Sequence, residues 1–154
     1  MRWLPVIFLY QSITTLDGGT PTYLGRLRLS TEGQGNQMMT KRYSGHQLIA
    51  LALGGKTKPA KVGWRVGVQS CDILVEKDYM QPPLRRLATI ASHKDQVTLL
   101  PLNAELIAGY DACPNSMYQI ENHIFAYQGH PEFSKPYSNA LMDFRREILG
   151  EAIY

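Results

Sequence analysis

Cysteine is nearly absent from this chain. Cys71 and Cys113 are too few for a disulfide framework, and they lack the C-x-x-C spacing of a zinc or redox site. That scarcity favours a reducing, cytoplasmic setting. Charge is also sparse, at 19% of residues, and no block of one sign occurs. Long hydrophobic runs are missing: the longest, residues 3–10, falls far short of the roughly 18–20 apolar residues a membrane helix needs. Only Arg2 precedes it and no clean cleavage site follows, so a buried strand is expected there rather than an export signal. No H-x-H or H-E-x-x-H spacing appears, so neither a metal nor a cofactor is expected.

What is present suits one folded domain: 154 residues, 44% of them apolar. The net charge of +3 arises entirely within residues 1–43, because residues 44–154 carry 11 basic and 11 acidic side chains. No basic face with interleaved aromatics exists in the balanced part. Nucleic acid is therefore not an expected partner, nor is a membrane.

Residues 11–43 read as loop, with one possible edge strand at 22–29. From Ser44 the texture changes. Residues 45–53 predict a helix, apolar nearly all round and hence buried, stopped by Gly54 and Gly55. Residues 62–68 alternate as a strand does. Further strands are predicted at 87–92, 105–110, 116–120 and 124–128, with Glu121, Asn122 and His123 turning the last hairpin. A final helix carries Tyr137, Leu141, Phe144 and Ile148 as its apolar stripe. Ser134 caps it, Pro136 opens it and Gly150 stops it.

The chemistry concentrates in two clusters. Ser44-Gly45-His46-Gln47 opens the first helix. Gly129-His130-Pro131-Glu132-Phe133 follows an apolar strand. A histidine two residues from a glutamate at a strand end can project both side chains into one cleft. The carboxylate then holds one imidazole nitrogen and frees the other to take a proton, which is the base-and-orienter half of a nucleophilic triad. Elsewhere the plain readings prevail. Trp64 is core or cleft wall, His46 a hydrogen-bonded structural residue, His123 a solvated turn residue, and Arg145 and Arg146 ordinary surface. Both cysteines are core or loop thiols.

These segments resemble the class I glutamine amidotransferases. Gly45-His46-Gln47-Leu48-Ile49-Ala50 with Leu53-Gly54-Gly55-Lys56 is similar to the helix after the nucleophile. Val62-Gly63-Trp64 and Val66-Gly67-Val68 resemble the next strand in the GMP synthase-like branch. Ser92-His93-Lys94-Asp95-Gln96-Val97 resembles the loop beside the glutamine site. Ser116-Met117-Tyr118-Gln119 and the His130 segment complete the order over residues 44–149. The resemblance implies an α/β, flavodoxin-like fold, with a mixed sheet and flanking helices, whose N-terminal units are truncated or divergent here. It divides the chain into an unmatched segment, 1–43, and an amidotransferase-like domain, 44–154. It implies glutamine as ligand and a synthetase subunit or domain as partner. A non-catalytic glutamine-binding or synthetase-docking module is the alternative.

In that family a cysteine on a strand-to-helix elbow attacks the glutamine amide. A histidine moves the proton and a glutamate orients it. A glutamyl thioester forms, ammonia leaves, and water releases glutamate. By motif, His130 and Glu132 are the matching pair. Gln47, His93 and Asp95 are the implied substrate-binding residues, the 92–97 loop acting through its main chain. A helix N-terminus at the elbow would lower a thiol pKa and stabilise an oxyanion. The elbow here departs from the pattern: it reads Lys41-Arg42-Tyr43-Ser44-Gly45, with Tyr43 at the nucleophile position and Lys41 replacing a glycine. A phenol, with a pKa of about 10, is a poor substitute. Ser44 lies one residue out of register, about 100° around a helix. The expectation is a family member that does not turn over glutamine. A shifted reading frame or a rearranged gene would produce such a junction.

Overall fold

The computed structural model describes residues 45–122, 124–151, 153 and 154. The strands expected at 3–10 and 22–29, the elbow with Tyr43 and Ser44, and His123 lie outside the described residues. Helix α1 (Gly45–Ala52) begins the described chain. Its buried residues, His46, Gln47, Ile49 and Ala50, form one face, while Leu53 just beyond is 45% exposed. The helix is thus buried on one face rather than all round. Gly54 (φ +87°) turns the chain in a backbone region that a side chain would strain. A Cβ on Gly55 would stand 2.6 Å from the Leu99 carbonyl oxygen and 2.8 Å from that of Ala50, so only glycine lets the helix end approach the strands this closely.

Seven strands follow: β1 (Lys56–Pro59), β2 (Arg65–Ile73), β3 (Arg86–His93), β4 (Asp95–Leu99), β5 (Ala104–Tyr110), β6 (Cys113–Ile120) and β7 (Ile124–Tyr127). Strands β1 and β4 form an antiparallel pair. The other five form a sheet in the order β3-β2-β5-β6-β7, and every pairing among the described residues is antiparallel. Two expectations shift. The strand expected at 62–68 starts later and runs longer, as β2. The loop expected at 92–97 is the end of β3, a single intervening Lys94, and the start of β4.

The sheet curls back on itself. Strands β3 and β7 are its outer strands, yet the chain leaving β7 reaches the free edge of β3, where the His130 N–H donates to the Ile90 carbonyl at 2.8 Å. Tyr127 and Thr89 hydroxyls meet across the same gap. Closure of this kind covers an otherwise unpaired edge. Alternation then separates two cores. Tyr118, Ile120 and Ala126 pack outward against Ile49, Ala50 and Val97. Cys71, Ile107, Ala108 and Met117 form the inner cluster.

Helix α2 (Lys135–Phe144) starts as expected, with Ser134 Oγ accepting the Tyr137 N–H and proline in the first turn. It does not run on to Gly150. Arg145 leaves helical geometry (φ −101°, ψ 9°), and a short α3 (Arg146–Leu149) follows before Gly150 turns at φ +76°. The break cuts the expected stripe in two: Tyr137 and Leu141 keep to it, and Phe144 and Ile148 do not. Ser138, Leu141 and Leu149 are buried, whereas Phe144 is 79% and Ile148 65% exposed. No helix among the described residues is long and apolar enough to cross a membrane.

Candidate active site

The centre of the site is a short-range pair on a fixed backbone. The bridge to Ile90 anchors the main chain of His130 to β3. Two residues on, Glu132 Oε1 lies 2.8 Å from His130 Nδ1. The imidazole is almost enclosed, whereas the glutamate side chain is 24% exposed. Phe133 stacks on the imidazole at 4.0 Å between centroids and 18° between planes, and Tyr137 meets Phe133 edge-on at 4.7 Å. Burial pulls the His130 pKa below its usual value. Glu132 works in the opposite direction, and the Arg145 cation adds to the lowering. The ring is therefore neutral near pH 7. With Nδ1–H donated to the carboxylate, a tautomer assigned from the hydrogen-bond network, Nε2 carries the lone pair. That nitrogen can accept a proton from a nucleophile or return one to a leaving amine.

The other implied residues form a second, adjoining network. Gln47 Nε2 donates to the Asp95 carbonyl at 2.5 Å and lies 3.4 Å from Gln128 Oε1. His93 Nδ1 lies 3.2 Å from the same Asp95 carbonyl. The first turn of α1, the start of β4 and the residue two before His130 are thus joined. This spends the Gln47 amide N–H on the main chain. His93 is buried, which pushes its pKa down to about 4, and alternation puts its ring on the face of β3 opposite Ser92. Asp95 enters the network through its main-chain oxygen.

One plain reading needs correction, that of Arg145. His46 is buried, and its ring contacts the Ala126 and Asn115 backbone, as a structural residue does. Burial pushes its pKa down to about 3, against the raising effect of those backbone contacts. Its ring leans on Tyr118, whose hydroxyl donates to the His46 carbonyl at 2.8 Å. Arg145 is not ordinary surface: its guanidinium lies 5.8 Å from the Trp64 ring centroid and donates from Nη1 to Ser92 Oγ at 3.1 Å. Cys71 is a core thiol, within the expected reading. It sits in the inner cluster and donates to the Leu87 carbonyl at 3.4 Å. Since Cys71 pairs with Leu87 and His130 with Ile90, strand alternation places the thiol and the imidazole on opposite faces of the sheet. Burial raises the Cys71 pKa, and takes that of Cys113 to about 12. No group of three His, Cys, Asp or Glu among the described residues is arranged to hold a metal ion.

The family model described as "Glutamine amidotransferase class-I" matches residues 44–145. The chain belongs to this family. It has the family's α/β flavodoxin-like fold, a mixed sheet with flanking helices, of which the described ladders are antiparallel. This amidotransferase chain is similar to relatives of two kinds. It is 35% identical over 97 residues to "Gamma-glutamyl peptidase 3" of Arabidopsis thaliana, covering 59% of this chain and 39% of that one. It is 37% identical over 89 residues to a glutamine-hydrolyzing GMP synthase subunit of Methanosphaera stadtmanae, covering 57% and 47%. A solved glutamine amidotransferase from Thermotoga maritima superposes with a TM-score of 0.60 at 19% identity, over 68% of this chain and 45% of that one; at this identity the likeness is one of fold. The chain thus spans less than half the length of these relatives.

Proposed function

We propose that this chain holds a site for the γ-amide of glutamine or a related γ-glutamyl amide, centred on His130 and Glu132, and that it does not turn the ligand over. The observation that carries the reading is the 2.8 Å contact between His130 Nδ1 and Glu132 Oε1 on a backbone locked to β3. The relatives' names support the ligand class, because glutamine hydrolysis and γ-glutamyl peptide cleavage both open a γ-glutamyl amide bond.

The missing step is nucleophilic attack. His130 is arranged to take a proton and Glu132 to orient the ring and stabilise its cation, while Gln47 and His93 meet at the Asp95 carbonyl in the adjoining network. Tyr43 stands where the family motif has cysteine, and a neutral imidazole is too weak a base to ionise a phenol. The described cysteines are buried and protonated. Loss of a nucleophile removes most of the rate acceleration that such a centre provides.

Glutamate release from glutamine is expected to equal that of a His130→Ala control; turnover clearly above that control refutes the reading. Tyr43→Cys is expected to recover little, because Lys41 also departs from the elbow pattern. Docking onto a synthetase is the second reading, favoured by the relatives named as a GMP synthase subunit. Co-purification of the chain with a synthetase subunit tests it.

A further inference from the structure

Arg145 sits at the break between α2 and α3, where its N–H bonds to the Leu141 and Met142 carbonyls and its half-buried side chain turns inward. Its neighbour Arg146 points outward and is satisfied by Glu151, with contacts of 2.9 and 3.0 Å. Arg145 has no such counter-ion: the ion pairs among the described residues are Lys77–Glu105, Arg86–Asp72, His130–Glu132 and Arg146–Glu151. One guanidinium nitrogen is spent on Ser92 Oγ, and the Trp64 ring backs the group. The remaining N–H donors have no acceptor among the described residues. A partly desolvated cation without an anion is costly, and a planar guanidinium matches a carboxylate in two-point geometry. Ser92 lies two residues along β3 from Ile90, where His130 is bonded, so the anchor and the base are about 6–7 Å apart along the strand.

We propose that Arg145, anchored by Ser92 and backed by Trp64, is a specificity-determining residue that takes a carboxylate of the γ-glutamyl ligand. This rests on the ligand reading above and deepens it. The carboxylate has two sources: the α-carboxylate of the glutamyl part, or one carried by the amine part of a γ-glutamyl peptide.

Calorimetry on the 154-residue chain separates them. The probes are L-glutamine, γ-L-glutamylglycine and L-glutamine α-amide, titrated into wild type, Arg145→Met and Arg145→Lys. Arg145→Met is expected to weaken at least one carboxylate ligand by about tenfold or more, through loss of charge-assisted hydrogen bonds. Equal loss for glutamine and γ-glutamylglycine assigns the α-carboxylate. Loss for γ-glutamylglycine alone assigns the amine side. In either case the ligand lacking the relevant carboxylate keeps its affinity, which a merely structural role for Arg145 would not produce. Arg145→Lys keeps the charge without the fork and is expected to fall between the two; it carries the comparison if a thermal melt shows Arg145→Met unfolded. Unchanged carboxylate affinities, or equal weakening of all three ligands, overturn the proposal alone. A wild-type chain that binds none of the three overturns the ligand reading, and this proposal with it.

Discussion

Gln47 Nε2 donates to the Asp95 carbonyl at 2.5 Å, and this one bond ties the first turn of α1 to the start of β4. Gln47 is buried, so its loss leaves polar groups without water to replace it. Gln47→Leu is expected to destabilise the chain by about 1–3 kcal/mol in urea unfolding. Gln47→Glu is expected to cost more, because it sets a carboxylate against a carbonyl oxygen. A glutamate variant as stable as the leucine variant would show that the bond carries little.

Glu132 and Arg145 pull the His130 proton in opposite directions. The carboxylate favours the imidazolium, while the guanidinium and burial disfavour it. Glu132→Gln is therefore expected to lower the His130 pKa further, and Arg145→Met to raise it. NMR titration of the imidazole resonances reads both. Shifts of the same sign would mean that burial alone sets the value and that neither charge reaches the ring.

Much of the fold is legible in the sequence where pattern and period agree. The α1 helix with its Gly54-Gly55 stop, the alternating strands β3 and β5 to β7, and the Ser134–Pro136 helix start all follow local rules. The spacing of His130 and Glu132 also suffices to bring the pair together. Strand β1 is not legible: Lys-Thr-Lys-Pro has no apolar alternation and becomes a strand only because β4 pairs with it. Nor is the curl of the sheet, which depends on bonds from His130 to Ile90 and from Tyr127 to Thr89 across distant segments. Arg145 reads as half of a surface Arg-Arg pair. Its inward turn depends on Ser92 and Trp64, remote in sequence, and no local signal predicts it.

The two thiols should behave as buried groups. Cys71 is held by the Leu87 carbonyl, and both pKa values are raised by burial. Reaction with a disulfide reagent such as DTNB is expected only as fast as the chain opens, and to accelerate steeply in denaturant. Cys71→Ser is expected to leave glutaminase turnover at the level of the His130→Ala control. Rapid labelling of Cys71 in the folded chain, slowed by glutamine, would instead make it a site residue.

His46 offers the sharpest test of acid sensitivity. Burial lowers its pKa from the ordinary 6.5 to about 3 and that of His93 to about 4, and lowers that of His130 as well. Each ring is neutral in the folded chain and takes a proton on unfolding once the pH falls below about 6.5. Its contribution is therefore fully present above that value and is lost as the pH drops toward the folded pKa. The slope is about 1.4 kcal/mol per pH unit for each proton. At His46 the Ala126 and Asn115 backbone contacts offset the effect of burial only in part. His46→Phe keeps a ring against Tyr118 and removes the proton site. The variant is expected to lose about 1–3 kcal/mol at pH 7, because it removes the ring's contacts to the Ala126 and Asn115 backbone. Between pH 6 and 4 its stability should fall with a slope smaller by about one proton. Urea unfolding at each pH measures the difference directly. Parallel slopes for variant and wild type would mean that His46 is already solvated in the folded chain.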